Sequence, residues 1–140
     1  MTSTSECPFC NLKRKVFFQN DLAVAFLSDP RKVKGHFLVT TRRHVTQPWN
    51  MTSAELQSVY ELIFKVEKAL IGKLGTGADI RQNYRPFMEQ TRLKVDHIHF
   101  HVIPRQLYDR IYDVTEHFDT VLFEKLTPQE EADIQKLITD

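Results

Sequence analysis

Hydrophobic and polar positions alternate most clearly from Lys94 to Ile103, where Ile98, Phe100 and Val102 fall on one side of an extended chain and His97, His99 and His101 on the other. This predicts a strand with one buried face, ended by Pro104, which lacks a ladder donor. Upstream, Lys15 to Gln19 and Leu22 to Leu27 are short apolar runs separated by the turn-forming pair Asn20-Asp21, the pattern of a hairpin. His36 to Thr40 reads as a third strand leaving a turn at Gly35, and weaker strand character runs from Ala78 to Tyr84. The period then changes. Thr52 with Glu55 forms a capping box, and Leu56, Val59, Ile63, Val66, Leu70 and Leu74 recur at intervals of three and four, predicting one long helix that ends near Gly72 and Gly75. Thr127-Pro128-Gln129-Glu130 combines a capping box with proline at the first helical position, so a short C-terminal helix is expected. The pattern is α+β, a mainly antiparallel sheet packed by one long helix.

No repeat, low-complexity tract or linker divides the chain, and 140 residues with 41% hydrophobic positions suit a single domain over 1–140. Nineteen Lys and Arg against eighteen Asp and Glu leave a formal charge of +1, which argues against a nucleic-acid or membrane-surface protein and makes any phosphate affinity local. With no secretory-type start and no run of about 20 apolar residues, a soluble cytoplasmic protein is expected. The two cysteines, Cys7 and Cys10, have a spacing that suits a metal chelate or a redox pair. Pro8 between them, and only a polar tail before them, favour the metal.

Three readings fit the alternating histidines. They are surface residues of an amphipathic strand, or ligands of a catalytic metal, or a nucleophile at phosphorus with a flanking imidazole on each side. Metal catalysis would want nearby carboxylates, and the adjacent Asp96 faces away by alternation. Neutral imidazole is a good nucleophile near pH 7, and a phosphohistidine divides one hard displacement into two easier ones. Neighbouring imidazoles can donate to the phosphoryl oxygens as charge builds there.

The run His97-Ile98-His99-Phe100-His101-Val102-Ile103 resembles the signature of the histidine triad (HIT) family, and Pro104-Arg105, Gly35-His36-Phe37-Leu38-Val39 and Arg42-Arg43-His44-Val45 extend the likeness to bacterial members. The resemblance implies a HIT-like fold and a nucleotide hydrolase or transferase. Its nucleophile would be His99, forming a nucleotidyl-histidine intermediate, with His97 and His101 positioning it and contacting phosphate. The implied substrates are dinucleoside polyphosphates or, alternatively, nucleoside phosphoramidates and related conjugates. A nucleotide-binding regulatory module with little turnover is the rival.

The same likeness suggests substrate contacts. His36 resembles a further family histidine beneath the site. Where the family carries an aspartate for the ribose hydroxyls this chain has Ser28, with Asp29 next to it. Asn83 and Gln90 keep the family's interval of seven, but Gln90 lies seven residues before His97, and Tyr84-Arg85-Pro86-Phe87-Met88-Glu89 replaces a glycine-rich loop. Either the loop carries a three-residue insertion and Gln90 still reaches the phosphate, or that contact is lost and Arg85 or Arg92 substitutes for it. By resemblance, Cys7, Cys10, His44 and His97 form a structural zinc site, and no organic cofactor is implied. A homodimer is expected on the same ground.

Overall fold

Asn20 shapes the first turn: its side-chain oxygen accepts from the amides of Leu22 and Ala23 at 3.2 and 2.9 Å. The hairpin that results joins β1 (Phe18–Gln19) to β2 (Ala23–Leu27). β3 (Phe37–Thr41) follows, then a single 3-10 turn (Pro48–Asn50), α1 (Ser53–Leu70), β4 (Gly77–Arg81) and β5 (His99–Arg105). The computed structural model describes residues 5–91, 93–115 and 122–139. Its five-stranded sheet has the order β1-β2-β3-β5-β4, every neighbour antiparallel. The expected α+β architecture is present. The chain forms two compact units, 1–109 and 110–140, and the sheet and α1 belong to the first. The second holds α2 (Arg110–Val114) and α3 (Pro128–Thr139), the latter opening on the expected box between Thr127 and Glu130.

α1 starts where the sequence places it, with Thr52 and Glu55 each accepting from the other's amide. It stops at Leu70, and Gly72 takes a φ of 89° just beyond, a left-handed turn that a side chain would oppose. Val59, Leu62, Ile63 and Val66 of α1 meet Ala25, Val39, Phe100 and Val102 of the sheet in the main core. Leu56, expected on this face, is 46% exposed, while Leu62, outside the periodic set, is fully buried. Leu56, Tyr60 and Phe64, spaced by four, form a second stripe beside the packed one. Leu74 lies beyond the helix end.

Two boundaries of the central strand differ from expectation. His97 precedes β5 rather than lying in it, and Pro104 lies inside it, paired with Ala78 of β4. Pairing with β3 ends at Val102, so the missing Pro104 N–H leaves no bond to β3 unmade. On the sheet face away from α1, Phe9, Leu12 and Val16 of the N-terminal segment cover Val24, Phe26 and Leu38. That face carries the histidines: Leu38 pairs with His101, and Thr40 with His99.

Candidate active site and metal centre

Each imidazole is oriented by the partner of one ring nitrogen. His99 Nδ1 lies 2.7 Å from the His97 carbonyl oxygen, which can only accept, so Nδ1 holds the proton and Nε2 keeps its lone pair. His97 is reversed: its Nε2 is 2.7 Å from the Thr41 carbonyl oxygen and donates to it, leaving the lone pair on Nδ1. His36 Nδ1 accepts the Lys32 amide at 3.1 Å, so its Nε2–H donates to His101 Nδ1 at 2.9 Å. The proton of His101 is therefore on Nε2. Phe9 seals the back of the group, its ring edge-on to His97 and His99 at 5.9 and 5.2 Å.

These tautomers hold because the rings stay neutral. Burial, assisted by Lys32, Arg81 and His99, lowers the pKa of His36 to about 4. Burial, with His99, His36, Lys32 and Arg81, takes His101 down to about 3. His97 is lowered to about 4 by burial against the opposing bond to Thr41, and His99 is lowered the same way against its bond to His97. At neutral pH each ring is a directional donor and acceptor, not a cation.

The free Nδ1 of His97 points at the cysteines. It lies 3.4 Å from Cys7 Sγ and 3.5 Å from Cys10 Sγ, and His44 Nδ1 is 3.2 Å from Cys10 Sγ. All four donor atoms lie within 4.8 Å of one another. Zinc bond lengths of about 2.3 Å to sulfur and 2.0 to 2.1 Å to nitrogen give tetrahedral edges of roughly 3.3 to 3.8 Å, close to the three contacts of 3.2 to 3.5 Å, so these four residues could hold one such ion. Their chemistry agrees. Burial and the adjacent Cys7 push the Cys10 thiol up to about 11, a pair that takes up negative charge readily only beside a cation. His44 is presented by the segment after β3, where Arg43 anchors to Glu55 through bonds of 3.1 and 2.7 Å.

Two cavities flank His99 and His101. One, of about 560 Å³, is lined by Phe9, Leu38, Ser28, Asp29 and His36. The other, of about 500 Å³, is lined by Lys32, Asn83, Tyr84, Arg85 and Lys94. The expected residues Asp29, Ser28, His36 and Asn83 thus border the histidines. The Ser28 hydroxyl is engaged, donating to the Pro30 carbonyl at 2.8 Å. Gln90 lines neither cavity; its side-chain oxygen accepts the Asp96 amide at 2.9 Å, which turns it back into its own loop. Of its two expected substitutes, Arg85 lines the second cavity and Arg92 lies outside the described residues. Lys32, one of several basic residues (Arg31, Lys32, Lys34, Arg42 and Arg43) among which the sequence gives no ground to choose, borders both cavities. Sequence reasoning missed Thr41, whose contribution is a backbone carbonyl and so carries no side-chain signal.

Comparison with known proteins adds to this geometry. A family model described as the HIT domain matches residues 10–107. The chain is 31% identical over 99 residues to the nitrilase and fragile histidine triad fusion protein NitFhit of Drosophila melanogaster, covering 69% of this chain but only 21% of the fusion protein. It is 29% identical over 107 residues to adenosine 5'-monophosphoramidase hnt1 of Schizosaccharomyces pombe, covering 71% of this chain and 74% of the relative. A crystal structure of a HIT family protein from Bacillus anthracis superposes with a TM-score of 0.73 at 20% identity, covering 98% of this chain and 97% of that one. A zinc-bound histidine triad family protein from Mycobacterium smegmatis has the same fold, with a TM-score of 0.67 at 20% identity over 92% of this chain and 88% of that one. With the family model spanning every histidine of the cluster, the chain belongs to the HIT domain family.

Proposed function

We propose that this protein is a nucleotide hydrolase that cleaves the phosphoanhydride of dinucleoside polyphosphates through a nucleotidyl intermediate on His99. The supporting observation is the 2.7 Å bond from His99 Nδ1 to the His97 carbonyl, which leaves Nε2 unprotonated on a ring that lines both cavities. Its lone pair attacks the α-phosphorus, and a P–N bond forms as the bond to the bridging oxygen breaks. The electron pair stays on that oxygen, which leaves as the end of a nucleoside polyphosphate. His101 Nε2–H donates to the oxygens gaining charge. Water then attacks the same phosphorus and loses a proton to solvent, and the P–N bond breaks, returning its electrons to Nε2 and releasing a mononucleotide.

His36 fixes the tautomer of His101. In this reading Asp29 accepts from ribose hydroxyls and Asn83 meets the phosphate, which their positions in the cavity walls support, whereas Ser28 and Gln90 are engaged elsewhere and fit that part less well. His97 leaves the catalytic group for the metal: with Cys7, Cys10 and His44 it would hold a structural zinc that ties the N-terminal segment to the active strand, a reading in keeping with the zinc-bound family structure. A reducing cytoplasm suits such a thiol pair. No described helix is long and apolar enough to cross a membrane. The whole of 1–140 serves as one HIT domain in this reading, and the exposed stripe of Leu56 and Phe64 on α1 is the face through which it forms a homodimer.

The monophosphoramidase relative favours a second substrate class, in which the leaving group is an amine. One experiment covers both classes. Wild-type protein given diadenosine tetraphosphate or adenosine phosphoramidate is expected to release AMP and, on rapid quenching, to yield adenylylated protein by intact mass. His99→Ala should lower turnover by on the order of 10³-fold or more. Binding without turnover of either substrate would refute the hydrolase and leave a regulatory nucleotide-binding module.

A further inference from the structure

The peptide that orients His99 lies outside the sheet. β5 begins at His99, and neither β3 nor β4 pairs with His97 or Ile98, so no ladder holds the backbone there. The His97 carbonyl and the Ile98 N–H belong to one planar unit and point in opposite directions. The Ile98 N–H donates to the Val45 carbonyl at 2.6 Å, and the His97 carbonyl is thereby aimed at His99 Nδ1, 2.7 Å away. A plane held at one end can still swing about its flanking bonds, and the chain on its N-terminal side is restrained at Asp96. The Asp96 N–H donates to Gln90 Oε1 at 2.9 Å, while its carboxylate pairs with Lys94 Nζ. Lys94 also donates through Nζ to the Met88 carbonyl at 2.8 Å, and its backbone exchanges bonds of 2.9 and 3.2 Å with Thr91. The Lys94 side chain is only 15% exposed, so these two acceptors replace much of the hydration that a surface ammonium keeps.

We propose that Lys94 and Gln90 are positioning residues for the nucleophile: together they clamp Asp96, and through it the His97 peptide, so that His99 keeps its proton on Nδ1. The inference rests on the hydrolase reading and says how the attacking nitrogen is kept free. In free histidine the proton prefers Nε2, so the Nδ1–H form persists at His99 only while an acceptor stands opposite Nδ1. With the clamp open the His97 carbonyl strays from that position. The proton then moves to Nε2, and the ring loses the lone pair that would attack. The loss falls on the fraction of protein able to react, and therefore on kcat more than on nucleotide binding. Gln90 thus acts through its own loop, one residue before the triad, without reaching the phosphate.

Nitrogen NMR of protein labelled in its histidine rings reads the tautomer directly, with or without turnover. Wild type is expected to hold His99 as the Nδ1–H form. Lys94→Met keeps the length of the side chain and removes both of its Nζ contacts. It should show a clear Nε2–H population at His99 and a kcat for diadenosine tetraphosphate lower by about tenfold or more, with KM changed less than about twofold. Gln90→Leu should act in the same direction, more weakly. Lys94→Arg, whose guanidinium offers donors to both acceptors, should restore the tautomer and kcat together. A folded Lys94→Met with tautomer and kcat unmoved overturns the clamp, as does lost turnover with His99 still wholly Nδ1–H, or a Lys94→Arg no better than Lys94→Met. If Lys94→Met does not fold, the same two readings on Gln90→Leu decide. A wild type that turns over neither diadenosine tetraphosphate nor adenosine phosphoramidate, while the tautomer still shifts in the variants, sinks the hydrolase and keeps the clamp.

Discussion

Replacing Arg43 by alanine should destabilise the protein more than replacing its buried partner Glu55, although Arg43 is the exposed member of the pair. The Glu55 side chain is 4% exposed and that of Arg43 54%. The carboxylate accepts from the Thr52 amide at 2.9 Å and from Arg43 at 2.7 and 3.1 Å. Glu55→Ala removes half of the capping box, a loss of about 1 kcal/mol, and releases a guanidinium that water can solvate. Arg43→Ala leaves the buried carboxylate with the Thr52 amide alone of these three contacts, which costs about 1 to 3 kcal/mol. At this chain length each kcal/mol moves the Tm by roughly 3 to 5 °C, so thermal unfolding resolves the order. The pH dependence supplies a second reading. Hydrogen bonds from Arg43, against burial, hold the Glu55 carboxyl below its ordinary value near 4.5. A depressed carboxyl contributes stability that is present above its unfolded pKa and lost as pH falls through the folded one. The gap between wild type and Arg43→Ala should therefore be full at pH 7 and close as pH drops below the ordinary carboxylate range. A Glu55→Ala protein less stable than Arg43→Ala at pH 7, or a gap unchanged down to pH 3.5, would refute the reasoning.

Elemental analysis of protein purified without added metal should find about one zinc per chain, and Cys10→Ser should lose it with a lowered Tm; metal-free wild type would remove zinc from the account. Sedimentation equilibrium should return about twice the 16.5 kDa chain mass, and Phe64→Glu, which places a charge on the open stripe of α1, should return one chain mass. A wild type that sediments as a single chain defeats the dimer.

What the sequence made legible is what local chemistry decides. The Thr52–Glu55 box, the Asn20 turn and the alternation around Phe100 are written within a few residues of where they act, and all three are present as expected. Leu56 and Pro104 misled because their outcome depends on neighbours. Periodicity shows that α1 has apolar stripes but not which one meets the sheet, and a proline ends a strand only where a partner needs its N–H. The metal quartet falls between these cases. The spacing of Cys7 and Cys10 speaks of a chelate, but Cys10 meets His44 and His97 across 34 and 87 positions, a closure that only the folded sheet or a family likeness supplies. Gln90 kept its family interval and still turned away, since the backbone amide of Asp96 in its own lengthened loop lies within reach.

The three alternating histidines are chemically identical in the sequence, and the fold separates them through the nitrogen each turns away from its task. A carbonyl at 2.7 Å from His97 Nε2 frees Nδ1 for the cysteines, while a carbonyl at 2.7 Å from His99 Nδ1 frees Nε2 for the cleft. His101, facing His36 instead of a carbonyl, is left as the donor. The carbonyl that orients His99 is that of His97 itself. Whatever steadies the Nδ1 side of His97 therefore steadies the proton on the proposed nucleophile, which joins the metal quartet to the chemistry without placing an ion in the reaction path.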